Sequence, residues 1–95
     1  MHARVVRFND VDPERVAEVV ARIEESDGPP PGVDAQSIEM LYDESQRTAV
    51  VVVRFEDVER MEAGNEVLSS MDAGETPGSR ASVDLCEIRV QRSMS

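Results

Sequence analysis

The apolar positions of the chain follow two periods, and each period predicts elements. Val50-Val51-Val52-Val53-Arg54-Phe55 is almost continuously apolar. It is too short for a stable helix and lacks good helix formers, so it predicts a strand buried on both faces. Val51, Val53 and Phe55 point to one face and Val50 and Val52 to the other. Ala3–Phe8 predicts a second strand, with Val6 and Phe8 on one face and Ala3, Val5 and Arg7 on the other. After it the period changes. Val16, Val19, Val20 and Ile23 recur at i, i+3, i+4 and i+7, an apolar helical stripe that runs to about Glu25. Asp12 is a suitable N-cap and Pro13 suits the first helical position, where a missing N–H costs nothing. Val11 and Val16 stand at the two positions of a hydrophobic staple. Glu14, Glu18, Arg22 and Glu25 lie off the stripe, and Glu18 and Arg22 are spaced for an i, i+4 ion pair.

Three prolines stiffen Ser26–Gly32, which predicts a loop. Ala35–Asp43 predicts a strand in which Ile38, Met40 and Tyr42 alternate with Glu39 and Leu41. A polar turn over Asp43–Arg47 joins it as a hairpin to the strand Thr48–Phe55. Asp57 predicts the cap of a second helix, whose buried side carries Val58, Met61, Val67, Leu68 and Met71. Gly64 lies within that helix. It is either a poor helix position or a place where the helix comes close to the sheet or a ligand. Gly74 is placed to end the helix as a left-handed cap. Ser82–Val90 predicts the last strand.

The two predicted strand–helix units resemble each other. Val5-Val6-Arg7-Phe8-Asn9-Asp10-Val11 is echoed by Val52-Val53-Arg54-Phe55-Glu56-Asp57-Val58. Glu14-Arg15-Val16 and Glu59-Arg60-Met61 follow, and the first copy carries an extra Asp12-Pro13. The element order is βαββαβ, an α+β, ferredoxin-like arrangement over a single domain of residues 1–95. It predicts a four-stranded antiparallel sheet of order 4-1-3-2, with both helices on one face.

Composition narrows the class. The 95 residues include 20 acids and 10 arginines, no lysine, and a net charge of −10. A surface this acidic is a poor match for nucleic acid or anionic membrane, which need a basic footprint. No apolar run approaches the roughly 20 residues of a membrane span. No charged-then-apolar leader opens the chain, which predicts a cytoplasmic protein. A single cysteine, Cys86, precludes an internal disulfide or a Cys-based zinc cluster, and it reads as a small buried apolar residue. No metal-ligand spacing, phosphate loop or Ser-His-Asp order is present, so no metal and no cofactor is expected.

Helices can cover only one face of such a sheet. Val50, Val52 and Val5 on the other face would cost about 25 cal/mol per Å² if left in water, which predicts pairing of two copies, sheet on sheet. With its βαββαβ order, its length and its apolar outer face, the chain from Ala3 to Val90 resembles the dimeric α/β-barrel superfamily, in the style of the antibiotic-biosynthesis-monooxygenase-like (ABM) domains. The resemblance implies a homodimer closing an α+β barrel. It also implies an activity drawn from a wide set: cofactor-free oxygenation, isomerisation, haem degradation or none. The haem-degrading members use Asn, Trp and His; here there is no Trp, and the one His is His2.

Three functions remain open. The chain may be read as a binder of an apolar or aromatic small molecule, as a cofactor-independent monooxygenase or isomerase acting on a phenolic or quinol substrate, or as a non-catalytic regulatory or protein-interaction module. The pocket expected for the enzyme lies between the second helix and the sheet; the pocket residues are Phe8, Asn9, Tyr42, Phe55, Met61 and Leu68, with Asn9, Tyr42 and Arg4 as the polar candidates. Arg7, Arg54, Glu39, Glu87 and Arg89 interrupt otherwise apolar strands. They suit an anion site, a carboxylate of raised pKa, or Arg–Glu pairs that fix strand or dimer register. The similar settings of Glu39 and Glu87 favour register pairs. Glu39 shares a face with Arg54 only if residues facing each other across the hairpin sum to an odd number.

Overall fold

The computed structural model describes residues 1–70 and 76–94. The expectations for Met71 and Gly74 fall outside them. The elements are β1 (His2–Asn9), α1 (Pro13–Glu25), β2 (Ser37–Asp43), β3 (Thr48–Phe55), α2 (Val58–Ser69) and β4 (Ser79–Glu87). The four strands form one antiparallel sheet in the order β2-β3-β1-β4, the α+β, ferredoxin-like arrangement expected. β4 begins and ends three residues earlier than its apolar pattern suggested. Its N-terminal half pairs with the end of β1 through backbone bonds, which the polar side chains of Ser79 and Arg80 do not prevent.

In the central pair, Val5 lies across from Val52 and Val6 across from Val51. Val5 and Val52 are equivalent positions of the repeat. The two copies are therefore related by a pseudo-two-fold axis that passes between these valines.

The core lies between the sheet and the helices, in two clusters. Val6, Phe8, Val11 and Ala49 form one, with Val16 and Tyr42 against it. Val33, Val53, Phe55 and Met61 form the other, with Val67 and Leu68 against it. Val11 and Val16 thus meet as the staple predicts. Val58, expected on the buried side of α2, is instead exposed. It aligns with Val11, which is fully buried. The two-residue insertion after Val11 lets that residue turn inward before its helix begins, whereas Val58 is already the first residue of α2.

The helix entrances differ too. The Asp57 carboxylate accepts a hydrogen bond from the Arg60 backbone N–H at 2.9 Å, as an N-cap should. Asp12 holds the N-cap position of α1 but makes no side-chain cap bond. Its carboxylate is drawn instead to Arg47 of the β2–β3 hairpin, at 2.6 Å. The expected Glu18–Arg22 pair is also replaced, since Glu18 binds Arg15 at 2.8 Å.

Gly64 is a point of close approach. A Cβ there would lie 2.7 Å from both Cε1 and Cζ of Phe55, so only glycine lets α2 settle onto that ring. α2 lies close against β1 and β3, whereas α1 stands further off the sheet.

Candidate functional site

The stand-off of α1 leaves a cleft, so the pocket lies under the first helix and not, as expected, under the second, which Gly64 lets down onto Phe55. The cleft has a volume of about 330 Å³, within the range of small-molecule sites. Val19 and Ile23 of α1 form its roof, and Phe8, Ile38, Val51 and Val53 of the sheet form its floor. Leu68 of α2 closes one side, and Thr76 and Pro77 close another. Arg15 on α1 fixes this last segment, donating from Nε and Nη2 to the Thr76 carbonyl at 3.1 and 2.9 Å. A second hollow of about 390 Å³ shares Ile23, Ile38, Val53 and Leu68 with the first and continues under the proline loop.

The polar wall of the cleft is cationic. Arg4, Arg22 and Arg80 line it, and no carboxylate does so among the described residues. Arg4 is only 4% exposed. Its Nε donates to Asn65 Oδ1 at 2.8 Å and its Nη2 to Ser69 Oγ at 3.4 Å, both neutral acceptors on α2. Burial, and then the nearby charge of Arg80, pull the Arg4 pKa below the ordinary arginine value. Arg80 reaches this side of the sheet through a β-bulge. Ser82 pairs with Arg7, but Arg80 pairs with Phe8, leaving Ala81 as the extra residue. In a regular ladder Ala81 would face Phe8, and Arg80 would face Asn9 on the opposite side. Its guanidinium lies 3.4 Å from the carbonyl oxygens of Leu68 and Ser69, at the negative end of α2.

Of the residues expected in a pocket, Phe8 and Leu68 line the cleft, and so does the polar candidate Arg4. Phe55 and Met61 are packed in the core beneath α2. Asn9 is exposed at the end of β1. The Tyr42 hydroxyl donates to the Val11 carbonyl at 2.8 Å, anchoring the start of α1. Desolvation, followed by the charge of Glu44, raises the Tyr42 pKa, which disfavours a phenolate base there. His2 is half-buried in β1, with its Nδ1 enclosed and unbonded.

The uncovered face of the sheet has its own pattern. From β2 to β4, three successive rows run Ser37–Arg54–Ala3–Cys86, Glu39–Val52–Val5–Asp84 and Leu41–Val50–Arg7–Ser82. Ser37 faces Arg54, an odd sum, so Glu39 does share a face with Arg54. Glu87 does not. It lies across from His2, on the helix side, and pairs with Arg89 at 3.0 Å. The counterpart of Glu39 is Asp84, inside the predicted strand but passed over there because the matching Ile-Glu-Met and Cys-Glu-Ile settings single out Glu87 instead. Cys86 is exposed, not buried, because β4 is an edge strand uncovered on this side. Arg7, Arg54, Glu39 and Asp84 form no ion pair among the described residues. Within these three rows two positive and two negative charges cancel, in a chain whose net charge is −10; Asp43, facing Thr48 in the next row, adds one further carboxylate at the edge of the same face.

Among the described residues no cluster of His, Cys, Asp or Glu could hold a metal ion, and no helix is long and apolar enough to cross a membrane. The chain matches no family model, no curated protein and no solved structure.

Proposed function

We propose that the chain acts as a homodimer of the dimeric α/β-barrel type that holds an apolar or aromatic small molecule in the cleft beneath α1. The observation that carries this reading is the cleft itself. It is a concave, largely apolar space of about 330 Å³ in a domain too small to leave such a volume without cost.

Pairing is supported by the uncovered face. Val5, Val50 and Val52 remain half-exposed at its centre, and Leu41 is 51% exposed beside them. A second copy laid on this face with its strands crossing those of the first presents Arg7 and Arg54 to Glu39 and Asp84, and the reverse. Such self-complementarity is what an isologous contact requires. Sedimentation equilibrium at micromolar concentration tests the pairing. The expected mass is twice the 10.5 kDa of one chain. Val52→Asp should give folded monomers, because it puts a charge at the centre of the contact without touching the helix side. A wild-type monomer would end the dimer reading. Titration with a neutral naphthalene probe tests the cleft: saturable binding is expected, and its absence at millimolar probe would count against a small-molecule site.

A further inference from the structure

We propose that the cleft selects apolar molecules bearing a carboxylate, with Arg4 and Arg80 receiving the acid group and the α1-roofed channel receiving the apolar body. The inference rests on the reading of the cleft as a small-molecule site and specifies what that site takes.

Four observations converge on it. First, Arg4 is a buried guanidinium whose hydrogen-bond acceptors among the described residues are neutral oxygens, from Asn65 and Ser69. A buried cation without an anion is costly, and an anion arriving beside it relieves that cost. Second, a bulge turns Arg80 from the outer face to the cleft side, where it adds a second positive charge next to the first. Two like charges brought together in a partly buried space repel each other unless an anion lies between them. Third, the Arg80 contacts with the Leu68 and Ser69 carbonyls are long, at 3.4 Å, so its donors are free to turn to a stronger acceptor. Fourth, no acid lines the cleft among the described residues, although acids outnumber arginines two to one in the chain.

The guanidinium fork matches a carboxylate in plane and spacing. Beyond the arginines, the walls are Phe8, Val19, Ile23, Ile38, Val53 and Leu68, which offer an apolar body nothing but contact. The compatible ligands are thus compact aromatic acids or acyl-chain acids. The second hollow under the proline loop, where Asp27 stands at the far end from the arginines, gives room for the apolar tail of the longer of these.

The test compares 1-naphthoate, dodecanoate and the neutral 1-naphthalenemethanol on the wild-type protein by calorimetry. The proposal expects naphthoate to bind at least tenfold more tightly than the alcohol, with the difference shrinking as salt is added. Arg80→Gln should lower naphthoate affinity about tenfold and leave that of the alcohol unchanged. Arg80 is exposed enough that this variant keeps the fold, whereas Arg4→Gln, at the buried site, is read only if its circular dichroism is native. Dodecanoate binding more tightly than naphthoate would support the proposal with an acyl acid as ligand; the reverse order would support it with an aromatic acid. Equal affinity for naphthoate and the alcohol overturns the acid selectivity while leaving the cleft as an apolar site. Failure of all three to bind overturns the cleft reading and the proposal with it.

Discussion

α1 and α2 follow similar strands, yet they meet the sheet differently. α2 is let down onto Phe55 by Gly64, where a single methyl would collide with the ring. Its contact is dry and filled, with Val33, Val53 and Met61 around the ring. α1 presents branched valines and an isoleucine at the same level and has no glycine. Its first turn is held by Val11 and Val16, and beyond that turn it stands away from the sheet. One missing Cβ in one half and its presence in the other separate a packed core from a cleft. Near-symmetry in the chain thus provides the scaffold, and the departure from it provides the site.

The comparison predicts unequal responses to mutation. The largest effect belongs to Phe55→Ala, which removes a fully buried ring beneath α2 and should cost about 3–5 kcal/mol in urea unfolding. Val19→Ala in α1 should cost about 1–2 kcal/mol: the side chain is buried, but it is smaller than the Phe55 ring and one side of it borders the cleft. Similar costs at the two sites would mean that α1 is packed as tightly as α2. Gly64→Ala should come next. Overpacking against Phe55 costs about 1–3 kcal/mol, and the helix-propensity gain of about 1 kcal/mol offsets only part of it. At the exposed α1 position Val20→Ala should stay within about 0.5 kcal/mol. If Gly64→Ala stabilised the protein, the close approach of α2 would be wrong.

The caps sharpen the contrast at smaller scale. Asp57→Ala should lower the melting temperature by a few degrees, and Asp12→Ala by less, since only Asp57 binds its own helix. The two should also differ with pH. The Arg60 backbone N–H, and then the charge of Arg60, hold the Asp57 carboxyl below its ordinary value of 3.8. A depressed folded-state pKa means the contribution is complete above about pH 4 and is lost as pH falls through the lower folded value. Asp57→Asn should therefore flatten the acid limb of the stability profile. A limb unchanged by that variant would show that the cap does not titrate with folding.

Much of the fold was legible in the sequence, because period and punctuation agreed. The change from alternation to a 3.6-residue stripe at Val16, Pro13 at the first helical position and Asp57 at the second cap lie where the structure has them. The strand order followed from two equivalent halves. Legibility ended where a decision depended on tertiary spacing. Gly64 fitted either of two readings until the Phe55 ring was seen beside it. Alternation puts Arg4 on the core face with Val6 and Phe8, but nothing local tells whether its guanidinium stays buried there or reaches past the strand end to water. The bulge at Ala81 has no sequence signal, so the turning of Arg80 into the cleft was not visible. Phe55 and Met61 are apolar and near a helix, as a pocket lining would be, but whether such residues border a space or fill one is settled by how closely the helix approaches.

The most direct test of the account is methyl NMR of the protein titrated with 1-naphthoate. We expect saturable shifts at Val19, Ile23, Ile38, Val53 and Leu68, which border the cleft, with Val11 and Val50 unmoved. Shifts centred on Val5, Val50 and Val52, or no shift at any methyl at millimolar ligand, would contradict it.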